Sequence, residues 1–241
     1  MTTRVLVACA ALVLCVGCDR LPGRPRPDSR VLRPSQVLDF ATLYDQNCAG
    51  CHGRPGEPGA AVALADPVYL AFADDATLRS FTARGGPSSA MPAFARSAGG
   101  SLTDEQIEVL VAGLRTRFAR PDALRGATPP PYSTPPGDAS RGARVYAARC
   151  AECHGATGAG GERGGSIVDG SYLGLASDQG LRTAVVVGRP ALGMPDWRGD
   201  AGDRPLSADD VSDVVGWLIA HRPEFPGQPY PARATRGHDD G

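Results

Sequence analysis

Two short stretches of the chain combine thiols and imidazole, the side chains that bind transition metals most readily. Residues 48–52 read CAGCH and residues 150–154 read CAECH, so the pattern C-x-x-C-H occurs twice. The chain has seven cysteines and four histidines in all. Half of its histidines therefore follow a cysteine pair directly, which indicates that both stretches perform the same chemical task.

Three kinds of chemistry use paired thiols. Redox disulfides need only the two cysteines, so the following histidine would be unexplained. Zinc needs a fourth nitrogen or sulfur ligand, and the only spare histidine within either half is His221, in the second. Haem c uses the whole pattern, because the two thiols bond to the porphyrin and the histidine binds its iron. The sequence therefore predicts two covalently bound haem c groups, attached through Cys48, Cys51, Cys150 and Cys153, with His52 and His154 as axial iron ligands.

Methionine supplies the predicted sixth iron ligand in each half. Apart from Met1, the chain contains only Met91 and Met194, each followed by proline and placed 39 and 40 residues after the motif histidines. Methionine more often fills gaps in a core, but the repeated position and the scarcity of the residue favour an axial ligand. Ligation by histidine and methionine raises the reduction potential and fills both axial positions. That arrangement suits electron transfer better than substrate binding at the iron.

The chain is an internal duplication of about a hundred residues. The C-x-x-C-H motif recurs 102 positions later, Met-Pro recurs 103 later, and LTDEQIEVLVAGL (102–114) recurs 104 later as LSADDVSDVVGWL (206–218). Apolar residues at helical spacing precede each motif and follow each Met-Pro, whereas the only strand-like run is AVVV at 184–187. A mainly helical fold is predicted, with two tandem domains joined by a proline-rich linker.

Six segments are predicted along the chain from these features and from changes in composition. In order, they are a signal peptide (1–18), an Arg/Pro-rich tether (19–34), a first domain (35–125), a proline-rich linker (126–137), a second domain (138–225) and a polar tail (226–241).

The first eighteen residues predict export. MTTRVLVACAALVLCVGC has one early positive charge and a twelve-residue apolar run, which is short for a membrane span and typical of a secretory signal. Small residues before Cys18 resemble a lipoprotein cleavage site, so we expect a lipid on Cys18 to anchor the protein at the periplasmic face of the cytoplasmic membrane. Ordinary cleavage nearby, which would leave a soluble periplasmic protein, is the alternative. The formal net charge of −1 gives no indication of a nucleic-acid partner.

Both halves resemble class I cytochrome c domains, over about residues 35–120 and 138–224. The resemblance implies an electron-transfer protein without its own substrate site. Its role would be that of a tethered carrier, or of the cytochrome subunit of a respiratory complex whose partners are a quinol oxidoreductase, an oxidase or other cytochromes. A di-haem enzyme of the peroxidase or thiosulfate dehydrogenase type, with one displaceable axial ligand, is the alternative.

Three further residue expectations follow from the resemblance. Trp197 and Arg198 could contact a haem propionate, as similar residues do in the family, although surface packing explains them equally well. Trp217 supplies the aromatic residue often found on the last helix, whereas Gly113 occupies that place in the first half. We therefore expect looser packing of the last helix in the first half.

Overall fold

The computed structural model describes residues 31–86, 90–200 and 203–224, and these residues are almost entirely helices and loops. They contain no β-strand, only two isolated β-bridges, and the strand-like run 184–187 lies inside a helix. The prediction of a mainly helical fold is confirmed. The α-helices are α1 (Phe40–Asn47), α2 (Ala49–His52), α3 (Pro67–Phe72), α4 (Asp75–Arg84), α5 (Asp104–Phe118), α6 (Ala139–Arg149), α7 (Ala151–His154), α8 (Gly170–Leu175), α9 (Asp178–Val187) and α10 (Ala208–Ala220), and 3₁₀ turns lie at Pro34–Gln36, Arg96–Ala98 and Pro190–Leu192.

Helices α1–α5 (the first half, residues 38–125) and α6–α10 (the second half, residues 138–224) follow the same order. Matching residues begin matching helices: the Asp39 carboxylate accepts from the Thr42 N–H at 2.8 Å, and that of Asp138 accepts from the Arg141 N–H at 2.7 Å. The last helix of each half begins with a reciprocal capping box, at Thr103 and at Ser207. Such caps satisfy backbone donors that have no partner within the helix.

The first and last helices of each half pack together, but the large and small partners are exchanged. In the first half, the Phe40 ring of α1 lies against Gly113 of α5, where a Cβ atom would fall 2.0 Å from that ring. In the second half the glycine is Gly142, on α6, and the large residue is Trp217, on α10. A Cβ atom added to Gly142 would lie 2.8 Å from the Cβ atom of Trp217. Phe40 fills the space beside Gly113 and is only 8% exposed. Helices α6 and α10 nevertheless contact each other much more extensively than α1 and α5 do, in agreement with the looser packing expected for the last helix of the first half.

The linker packs against both halves. The Tyr132 ring lies between aromatic residues of the first half, 4.9 Å from Phe72 and 6.5 Å from Phe81 between ring centroids. Its backbone carbonyl accepts a hydrogen bond from the Gln179 side chain of α9 at 2.8 Å. The sequence predicted a proline-rich linker, and the structure adds that its Tyr132 contacts both halves.

A buried arginine holds the same linker on the second half. Arg182 of α9 is 2% exposed, and its guanidinium donates twice to the Pro131 carbonyl, at 2.9 and 2.8 Å, and once to the Ser212 hydroxyl at 3.2 Å. Burial lowers the pKa of Arg182. Helices α3 and α9 also contact each other, and both halves belong to one compact unit that begins at Leu38.

Several predicted segments lie outside the described residues. They are the signal peptide with Cys18, most of the Arg/Pro-rich tether, and the polar tail. No helix in the described part of the chain is both long enough and apolar enough to cross a bilayer.

Candidate haem centres

Each C-x-x-C-H motif forms a single helical turn directly after a longer helix. Cys48 ends α1 by donating its N–H to the Tyr44 carbonyl at 2.8 Å, and the His52 N–H returns to the Cys48 carbonyl at 3.0 Å. In the second half, Cys150 and His154 make the same pair of bonds at 2.8 and 2.9 Å. The structure therefore brings two thiols and one imidazole together on one turn in each half, as haem attachment requires.

None of the four motif cysteines is joined in a disulfide. Burial raises the pKa of the Cys48 and Cys150 thiols to about 11, whereas redox C-x-x-C pairs depend on a lowered pKa. Among the described residues, no group of three or more His, Cys, Asp or Glu side chains is arranged to hold a metal ion. Neither the redox-disulfide nor the zinc alternative is supported by this geometry.

Both motif histidines are oriented by a backbone carbonyl. Nδ1 of His52 lies 2.7 Å from the Val62 oxygen, and Nδ1 of His154 lies 2.8 Å from the Gly165 oxygen. Because a carbonyl can only accept, Nδ1 must carry the proton, which leaves the Nε2 lone pair free for a metal. Burial lowers the pKa of His52 and thereby favours its neutral form. The residues present therefore fit haem c, with Nε2 of each histidine available to the iron.

A tyrosine hydroxyl completes each motif, a contact that the sequence did not reveal. Tyr44 donates to the Gly53 carbonyl at 2.7 Å, and Tyr146 donates to the Gly155 carbonyl. Gly53 has φ +74, and a Cβ atom there would lie 2.1 Å from the Glu57 oxygen, so only glycine fits directly after the histidine. Tyr146 also contacts the last helix, since its ring stacks on Trp217 with ring centroids 4.1 Å apart.

The two methionines lie on similar loops after α4 and α9. The Met91 carbonyl accepts from the Gly86 N–H at 2.9 Å, and the Met194 carbonyl accepts from the Arg189 N–H at 2.9 Å. A glycine with positive φ precedes each of these partners, Gly85 at +80 and Gly188 at +70, and allows the methionine backbone to approach closely. Pro87, which matches Pro190 in the repeat, lies outside the described residues.

No hydrogen bond within the described part of the chain joins the Met91 segment to His52, or the Met194 segment to His154. Both methionines are partly buried. Their role as sixth ligands stays a prediction.

Trp197 and Arg198 lie next to the Met194 loop and contact each other. Trp197 is 2% exposed, and the Arg198 guanidinium carbon lies 4.9 Å from the centre of its ring. That guanidinium binds Asp196, with a shortest distance of 2.6 Å, and donates to the Ala123 carbonyl of the first half at 3.2 Å. Trp197 is therefore a core residue. Contact of either side chain with a haem propionate stays a prediction.

His221, the spare histidine of the second half, lies at the exposed C-terminal end of α10. Its Nδ1 is 2.9 Å from the Trp217 carbonyl of the same helix, so it is a surface residue. His238 lies outside the described residues.

Two tandem helical halves, each presenting C-x-x-C-H on one turn with a carbonyl-oriented imidazole, define a cytochrome c-type protein. The family model described as cytochrome c oxidase, cbb3-type, subunit III matches residues 35–112 and 137–218, and the chain belongs to this family. A cytochrome c-type domain implies covalently bound haem c and a haem-based electron-transfer or redox function.

No curated protein matches the chain. Among solved structures, a chain of the reducing HAO-like protein complex of Kuenenia stuttgartiensis is 16% identical with a TM-score of 0.42, and the match covers 80% of this chain and 100% of that one.

Proposed function

We propose that the protein is a di-haem c-type cytochrome that transfers electrons on the outer side of the cytoplasmic membrane. The two haems would be attached through Cys48 and Cys51 in the first half and through Cys150 and Cys153 in the second. The observation that supports this most strongly is the duplicated imidazole geometry, in which both Nδ1 atoms are occupied by carbonyls. Two independent sites with one arrangement favour one cofactor type and a count of two.

The residues around each motif hold the imidazole and restrict its motion. The Val62 and Gly165 carbonyls fix the ring orientation and the tautomer, and the tyrosine hydroxyls hold the backbone just after the histidine. When bound, haem c supplies reversible one-electron chemistry at its iron. We propose His52 with Met91, and His154 with Met194, as the axial pairs. Two filled axial positions would leave no site for substrate.

The proposed location is the periplasmic face of the membrane, with a lipid on Cys18 as the anchor. An extracytoplasmic position fits the family, and the apolar leader with its small residues before Cys18 supports the anchor. The proposed partners are redox proteins, among them an oxidase, a quinol oxidoreductase or other cytochromes. In this proposal the chain is either a tethered electron carrier or the cytochrome subunit of a respiratory complex.

The test is expression with a c-type haem maturation system, followed by reduction under carbon monoxide. We expect both irons to remain low-spin and to bind carbon monoxide slowly, because each has a methionine ligand. Rapid binding at one iron, or turnover of peroxide or thiosulfate, would instead support the enzyme alternative. A Cys18→Ala variant should move the protein from the membrane fraction to the soluble periplasmic fraction. The same distribution for both forms would contradict the lipid anchor.

A further inference from the structure

Arg189 connects the Met194 loop of the second half with the first half. Its guanidinium donates to the Gly59 carbonyl and, at 3.3 Å, to the Ala60 carbonyl. Its backbone forms an antiparallel bridge with Met194, with N–H to carbonyl distances of 2.9 and 3.2 Å. One residue therefore contacts a predicted axial-ligand loop through its backbone and the other half through its side chain.

The first-half carbonyls that Arg189 binds belong to the loop that orients His52. Gly59 is pressed against the motif, since a Cβ atom there would lie 2.3 Å from the Cys51 oxygen. The Ala61 N–H donates to that same oxygen at 2.9 Å, and the Val62 carbonyl, one residue later, accepts from the imidazole. Any shift of residues 59–60 would therefore reach the His52 ring through two adjacent contacts.

The Arg189 side chain is specific to the second copy of the repeat. In the first half, its place is taken by Gly86, whose N–H makes the equivalent bond to the Met91 carbonyl at 2.9 Å. The backbone role is thus shared by both copies, whereas the guanidinium is present only in the second. The guanidinium occurs in the second copy only and binds the first. This indicates that it serves the two-domain protein, because a single cytochrome domain would not need it.

We propose that Arg189 is a positioning residue that couples the two haem centres. It fixes the Met194 loop of the second half against the His52 loop of the first, so that a change at one ligand set reaches the other. It also lines a cleft of about 200 Å³ between residues 54–67 and 187–192, and its positive charge acts on both ligand loops. This inference depends on the proposed function, because it assumes one haem in each half.

The test is Arg189→Ala in the full-length protein carrying its haems, compared with Arg144→Ala. Arg144 is an exposed arginine of α6 whose guanidinium bonds the Ser140 carbonyl of its own helix at 3.3 Å. In Arg189→Ala we expect amide exchange of residues 59–62 to accelerate roughly tenfold or more, the effect of losing hydrogen bonds to a charged group. The first-half haem should also fall in potential, because a nearby cation favours the reduced form. Arg144→Ala should change neither quantity.

Two controls make the outcome decisive. A Met91→His variant identifies the first-half haem in the redox titration, since bis-histidine ligation lowers its potential. Arg189→Lys retains the charge but lacks the planar fork that binds two carbonyls, so it should restore the potential and leave exchange of residues 59–62 accelerated. Unchanged exchange and potential in Arg189→Ala would overturn the inference, as would equal potential shifts in Arg189→Ala and Arg144→Ala. Haem content, measured on the same samples, separates these results from failure of the proposed function, which would show as fewer than two haems per chain.

Discussion

The exchanged pair of large and small residues at the helix contacts allows a quantitative prediction. In the first half, Phe40 packs on Gly113, and in the second half Gly142 packs against the Asp213 backbone and the Cβ of Trp217. Replacing Phe40 by glycine removes a side chain that is 8% exposed, at a cost of about 3–5 kcal/mol. Replacing Gly113 by tryptophan overlaps the Phe40 ring, because even a Cβ would lie 2.0 Å from it. That change should cost about 3 kcal/mol or more.

Combining the two changes gives the first half the same pair of residue types as the second, glycine on its first helix and tryptophan on its last. Tyr44 stands where Tyr146 stacks on Trp217, so the new indole would have a matching aromatic neighbour. We expect the double variant to be about 2–3 kcal/mol more stable than the sum of the two single losses predicts.

The measurement is hydrogen exchange in the full-length protein, read separately for each helix. Single variants should accelerate amide exchange in α1 and α5. In the double variant, amide exchange of these helices should be roughly 30- to 150-fold slower than the sum of the two single effects predicts. Helices α6 and α10 serve as an internal control. Strictly additive effects of the two changes would refute the reasoning, because they would mean that the two positions do not share one space.

Two further predictions concern ion pairing and the linker. Asp213 is buried on α10 and accepts from Arg141 at 2.7 and 2.9 Å, and these hydrogen bonds lower its pKa. The stability that it adds is therefore present above the ordinary carboxyl pKa of about 4 and is lost as pH falls through the lower folded value. Asp213→Asn should reduce stability at neutral pH and flatten its acid-side decline in denaturant titrations; an unchanged pH profile would contradict this. Tyr132→Ala removes the ring that lies between Phe72 and Phe81, so residues 126–137 should become more sensitive to protease, whereas Ser133→Ala should have no such effect; equal sensitivity would contradict the linker contact.

Much of this architecture could be predicted from the sequence, because the signals are local. Helix starts depend on side chains within three residues, as at Thr103 and Ser207. The motif residues are adjacent along the chain, so the turn that brings them together follows from spacing alone. Because the sequence is duplicated, the same order of helices and motifs was predicted for both halves.

Contacts between distant segments could not be predicted in this way. The residue that fills the space beside Gly113 is one example, because Phe40 lies 73 positions earlier in the chain. The tyrosine hydroxyls gave a faint signal, since each stands four residues before the first cysteine of its motif and each motif is followed by glycine. Arg189 could have been noticed as an arginine that replaces Gly86 of the first copy. The carbonyls that it binds are visible only in the folded chain.

The central claim is that each half binds one haem c covalently. Intact mass and haem absorbance, measured on protein made with a c-type maturation system, test it directly. The account predicts two haems per chain in the native protein and one in each of the double variants Cys48→Ala/Cys51→Ala and Cys150→Ala/Cys153→Ala. A colourless native chain, or a haem count that does not change when either cysteine pair is removed, would contradict it.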